Sequence, residues 1–82
     1  MNIIRARINF NTERDIVNFI TLINQQPDIY CLEDFRGEHA VNPASMLGLL
    51  YARADFSNGM YLINLTNNGI FPSEINDYRI EE

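Results

Sequence analysis

The sequence predicts an α+β domain of two layers, a four-stranded, mainly antiparallel sheet with two to three helices on one face. Three observations predict it. Apolar residues alternate one by one at the start of the chain, then recur at helical spacing. Two further short strand-like runs flank a turn at Arg36-Gly37 and read as a hairpin. A second helix-like run then separates the hairpin from a last strand. The order is strand, helix, strand, strand, helix, strand, short helix, and a hairpin combined with helix crossovers gathers helices on one side of the sheet. A ferredoxin-like fold of two equal βαβ halves is the alternative, and the shortness of the second helix weighs against it.

Ile3 to Phe10 is the first strand, with Ile4, Ala6, Ile8 and Phe10 on one side and Arg5, Arg7 and Asn9 opposite. Asn11 and Thr12 precede Glu13-Arg14-Asp15, a helix start with caps and first-turn acids. Ile16, Phe19, Ile20 and Ile23 form one apolar helical stripe, and Pro27 stops the helix. Asp28 to Phe35 is the second strand and His39 to Val41 the third. Asn42-Pro43 opens the second helix, with Asn42 as N-cap and Pro43 at the first helical position, running to about Ala52. Ser57-Asn58-Gly59 is a turn, Met60 to Thr66 the fourth strand, and Asn67-Asn68-Gly69 its end. After Pro72, Ile75, Tyr78 and Ile80 fall at the spacing of a short third helix.

With 82 residues and 9.5 kDa, residues 1–82 form a single domain, because chains this short bury only about 60% of their unfolded surface and have no room for a second core. A hydrophobic fraction of 46% is that of a folded chain. Six arginines, no lysine and eleven acids give a net charge of −5, which argues against nucleic acid as a partner. The apolar run from Ala44 to Ala52 is too short for a membrane span, and the start of the chain is too polar for a signal peptide. Cys31 has no partner for a disulfide, and no cofactor or metal ligand set is visible. A cytoplasmic location, with no membrane partner, is the expectation.

The segment Val41-Asn42-Pro43-Ala44-Ser45-Met46-Leu47-Gly48-Leu49-Leu50 resembles the second-helix segment of HPr, the phosphocarrier protein of the bacterial sugar phosphotransferase system. The Asn58-Gly59 turn, the strand after it and the Gly69 turn also fall where that family has them, and the element order agrees over nearly the whole chain. The resemblance implies an HPr-like open-faced sandwich. In that family a histidine at the start of the first helix carries the phosphate. Here Thr12 takes its place, Arg14 falls on the family's arginine and Asp15 on its proline. A threonine phosphoester is not a labile phosphoryl donor as a phosphoimidazole is, and Glu13 and Asp15 repel an incoming phosphoryl group. No catalytic residue and no phosphocarrier activity are therefore expected. Ser45 matches a serine that is phosphorylated for regulation in some members. With Asn42 as N-cap it would be the third helical residue, where free N–H groups favour a phosphate. Arg14, Met46, Leu47 and Leu50 match the surface that contacts partner proteins.

The remaining residues add little chemistry. His39 is the one histidine and lies in the hairpin without a partner. Cys31 has no basic neighbour to activate it. Glu33 and Asp34 face opposite sides of a strand and cannot work as a pair. Glu81 and Glu82 read as a solvated tail. The second helix carries more apolar residues than one narrow stripe needs. In the fourth strand Tyr61, Ile63 and Leu65 alternate with Met60 and Leu62, so both faces are apolar. A homodimer covering that sheet face, which Leu62→Arg should weaken, would account for this surplus. The expected function is a non-catalytic regulatory or interaction module linked to the phosphotransferase system, its partner an enzyme of the system, a kinase or a transcription regulator. A phosphocarrier with a non-standard site, such as His39, and a structural homo-oligomer are the alternatives.

Overall fold

A computed structural model describes residues 2–81. The expectation for Glu82 lies outside the described residues. Strand β1 (Arg5–Ile8) buries Ala6 and Ile8, and Phe10 just beyond it, as the alternation requires. It starts later than Ile3 because its partner strand ends early. The Ile4 N–H donates to Asn68 Oδ1 in the polar loop that follows that strand, at 2.8 Å, and its side chain is half exposed.

Helix α1 (Glu13–Asn24) begins at a reciprocal cap. Thr12 Oγ1 accepts from the Asp15 N–H at 3.2 Å, and Asp15 Oδ2 accepts from the N–H groups of Thr12 at 3.2 Å and Asn11 at 2.8 Å. Ile16, Phe19, Leu22 and Ile23 form its buried stripe, with Ile20 half-buried beside them. The helix closes at Gln25, two residues before Pro27, since a proline disfavours helical geometry in the residue ahead of it.

Strands β2 (Tyr30–Glu33), β3 (Ala40–Val41) and β4 (Met60–Asn64) complete an open, wholly antiparallel sheet in the order β1-β4-β2-β3. β1 and β2 are both antiparallel to β4 and so run parallel to each other with β4 between them. But β1 lies at the edge of the sheet, where a ferredoxin-like order would set the first strand inside next to the third, so that alternative falls. The register aligns Ala6, Leu62, Leu32 and Val41 across the sheet on the face that meets the helices. There they share a core with Ile16, Phe19, Leu49, Ala52 and Phe56. Phe10, Phe19 and Tyr78 close one end of it in edge-to-face contacts, with ring centroids 5.1–6.0 Å apart.

Helix α2 (Met46–Asp55) starts later than expected. The Asn42 carbonyl accepts from the Ser45 N–H at 3.0 Å, and its side chain accepts from the Ala44 N–H at 2.9 Å, so Asn42 caps a turn and not the helix. Ser45 is the N-cap, its hydroxyl accepting from the Gly48 N–H at 3.1 Å. The reading of Ser45 as a third helical residue is thereby corrected. Gly48 lets α2 seat on the preceding loop. A Cβ there would lie 3.1 Å from the Asn42 carbonyl oxygen and 3.3 Å from Val41 Cβ.

Beyond β4, Asn64 gathers the loop to Ile70, and a 3-10 turn (Ser73–Asp77) inserts Ile75 into the core. The tail then returns to the outer edge of β1. Asn9 N–H donates to Tyr78 O, and Ile80 N–H to Arg7 O, each at 2.9 Å. This cover protects an edge that would otherwise offer unpaired backbone groups.

Candidate functional site

Helix α2 has two apolar faces. Leu49 and Ala52 point into the core, both fully buried. Met46, Leu47, Leu50 and Tyr51 remain exposed, Leu47 at 80%. At about 100° per residue the four exposed positions span roughly 140° of the helix, on the side away from Leu49 and Ala52. The surplus noted in the sequence is thus a contiguous outward patch. Tyr51 leans on Phe56 edge-on at 5.8 Å, which steadies one end of it.

Ser45 stands half-buried at the start of this helix. Its position favours a phosphate electrostatically, and its hydroxyl already serves as a cap. Arg14 is exposed in the first turn of α1, without an ion pair or side-chain hydrogen bond among the described residues. Arg53 instead ties α2 to the loop before α1, its Nη2 donating to the Asn11 carbonyl at 3.2 Å. Arg53 lies eight residues along α2 from Ser45, or about 12 Å of helix axis.

Thr12 uses its hydroxyl to accept the Asp15 amide. The Asp15 carboxylate holds the amides of Asn11 and Thr12, which an incoming phosphate would need. The start of α1 is an anion site already filled from within.

His39 is exposed on the hairpin. Asp34 organises that turn. Burial works to raise its pKa, but the amides of Glu38, His39 and Gly37 and the nearby His39 outweigh it and hold the carboxyl below its ordinary value. Cys31 faces away from the core, opposite Ile63. Desolvation, aided by the Glu33 charge, pushes its thiol up, away from a reactive thiolate. Among the described residues no group of three or more His, Cys, Asp or Glu could hold a metal ion, and no helix is long and apolar enough to cross a membrane.

The far face of the sheet corrects another expectation. Leu62 is fully buried on the helix side, so Leu62→Arg would strike the core and not a dimer interface. Tyr61 and Ile63 do face outward, yet they are 3% and 6% exposed. Arg5 lies over the Tyr61 ring with its guanidinium carbon 4.1 Å from the centroid, and Phe35 packs against the ring at 5.9 Å. This chain's own side chains thus cover much of the surface assigned to a second copy. Sequence reasoning missed the arginines gathered there. Arg5 and Arg7 were placed opposite the apolar face of β1, but only the return of the tail brings Arg79 beside them.

Compared with known proteins, the chain matches no protein-family model, no curated protein and no solved structure.

Proposed function

We propose that the chain is an HPr-like module without the phosphate-carrying histidine, working by binding a protein of a sugar phosphotransferase system and not by carrying phosphate. The observation that carries this reading is the exposed apolar face of α2, Met46, Leu47, Leu50 and Tyr51, with Leu47 80% exposed. A monomer gains nothing from four large apolar groups on the water side of a helix, and a patch of this kind suits a partner surface. The element order and the segment from Val41 to Leu50 support the family reading. The filled cap at Thr12 and Asp15 supports the loss of carrier function. Phosphorylation of Ser45 would set about two negative charges next to Met46 and Leu47 and weaken an apolar contact.

The test joins two measurements. After incubation with the general phosphotransferase enzyme and phosphoenolpyruvate, mass spectrometry should find no acid-labile, base-stable phosphate on this chain. In titrations with the proteins of the system, the wild type should bind one of them, and Leu47→Asp should abolish binding while the circular dichroism spectrum stays native. Labile phosphate on the chain, or binding indifferent to both Leu47→Asp and Met46→Asp, overturns the proposal. Sedimentation separates the homo-oligomer, for which the same patch would seat a second copy.

A further inference from the structure

The chain carries a net charge of −5, yet three of its six arginines line one hollow of about 360 Å³ on the sheet face away from the helices. Arg5 and Arg7 come from β1, and Arg79 from the returning tail, with Ile80 and Glu81 completing the rim. Arg5 is committed. It pairs with Glu33 at 3.1 Å and donates to the carbonyls of Asp34 and Phe35. Arg7 and Arg79 have no ion-pair partner among the described residues.

Arg7 is held in place nonetheless. Its guanidinium carbon lies 5.9 Å from the centroid of the same Tyr61 ring that carries Arg5. Its Nε is buried with no hydrogen-bond partner. A Cβ on Gly59 would come within 2.9 Å of that Nε, so the glycine makes room for the side chain. Two like charges over one ring repel each other, and Glu33 relieves only one of them. A second hollow, of about 260 Å³, shares Arg7 and Ile80 and adds Arg53, Asn9 and Ser57.

We propose that the hollow between Arg7 and Arg79 binds a small doubly charged oxyanion of the phosphate class, either free phosphate or the phosphate monoester of a small molecule. The charge follows from the two guanidinium groups, because a dianion balances both Arg7 and Arg79 where a single negative charge balances one, while the Glu81 carboxylate on the rim opposes any anion. The small size follows from the net charge, because an extended polyanion would be repelled by the rest of the chain. Arginine forks match the geometry of phosphate oxygens, and the neighbouring Tyr61 ring helps to hold Arg7 in place. This site is independent of the α2 patch.

The experiment is an amide-resolved NMR titration of the whole chain at low ionic strength, with inorganic phosphate, glycerol 3-phosphate and sodium chloride as separate probes. The two phosphates should give saturable shifts at Arg7, Tyr61, Arg79 and Ile80, with dissociation constants in the millimolar range or below, and chloride at matched ionic strength should not. Tighter binding of glycerol 3-phosphate than of phosphate identifies an ester as the ligand, and equal binding identifies free phosphate. Arg79→Gln, an exposed change that the fold should accept, should weaken binding about tenfold. Glu81→Gln should tighten it, and Arg36→Gln should leave it alone. Shifts that chloride reproduces, or an affinity unchanged in Arg79→Gln, overturn the site.

Discussion

Asn64 donates through Nδ2 to Asp28 Oδ2 at 2.8 Å, tying the end of β4 to the loop that precedes β2. The same amide group donates to the Ile70 carbonyl, and its Oδ1 accepts from the N–H groups of Thr66 and Asn67. At 2% exposure this side chain has its full set of partners. Asn64→Ala orphans several of them at once and should lower stability by about 2–4 kcal/mol, read from urea unfolding. Asn64→Asp keeps the shape but turns a carboxylate toward Asp28. It should be less stable than wild type at neutral pH, with part of the loss recovered in acid.

The hairpin between β2 and β3 should loosen in acid. Asp34 Oδ1 accepts from the N–H groups of Glu38 at 2.9 Å and His39 at 3.4 Å, and its carboxyl titrates below the ordinary value. A carboxyl with a lowered folded pKa contributes stability that is present above its unfolded pKa and fades as pH falls through the folded one. Amide exchange at Glu38 and His39 should quicken across that window. In Asp34→Asn the exchange should no longer depend on pH beyond its intrinsic chemistry.

Thr12→Ala should cost about 0.5–2 kcal/mol through the lost cap, seen as a lower midpoint in thermal or urea unfolding. Thr12→His should not create an efficient phosphocarrier, because Asp15 still holds the amides of residues 11 and 12. Phosphoryl transfer from phosphoenolpyruvate, followed by mass spectrometry, checks this. Efficient transfer in the single variant would show that the filled helix start is no barrier.

Leu47 and Leu49 should respond oppositely to the same change. Leu47 is 80% exposed, and Leu49, two residues on, is fully buried. Leu47→Asp should move stability by less than about 0.5 kcal/mol, whereas Leu49→Asp should unfold the domain by burying a charge without a partner. Circular dichroism and urea titration distinguish the two at once.

Gly59→Ala should destabilise by about 1–3 kcal/mol and disturb Arg7. The residue sits at φ +115° in the turn before β4, and the added carbon would press on Arg7 Nε. The Tyr61 ring resonances should shift with it.

What the sequence shows plainly is whatever depends on neighbours along the chain. The alternation around Ala6 and Ile8, the cap at Thr12, the stripe through Ile16 and Phe19 and the Gly59 turn all follow from local spacing. The start of α2 was misplaced because Asn42-Pro43 and Ser45 are both good openings, and which one caps the helix is decided by how Gly48 seats against Val41 and Asn42. The outward patch of α2 was legible as a surplus of apolar residues. Arginine cover over Tyr61 was not, since it joins residues more than fifty positions apart through the β1–β4 register. A separation of 36 residues likewise concealed the bond between Asn64 and Asp28.

The strand order also sets when this chain can fold as it is made. β4 lies between β1 and β2 and is the last strand synthesised. Until Asn64 has left the ribosome, β1 has no strand to pair with, and Ala6, Ile8 and Phe10 wait in water. Only α1 and the short β2–β3 hairpin can form from what has already emerged, and neither is stable alone. The sheet therefore closes only when residues 5–8 meet residues 60–63, a long-range pairing whose loop-closure entropy must be overcome before β1 is held.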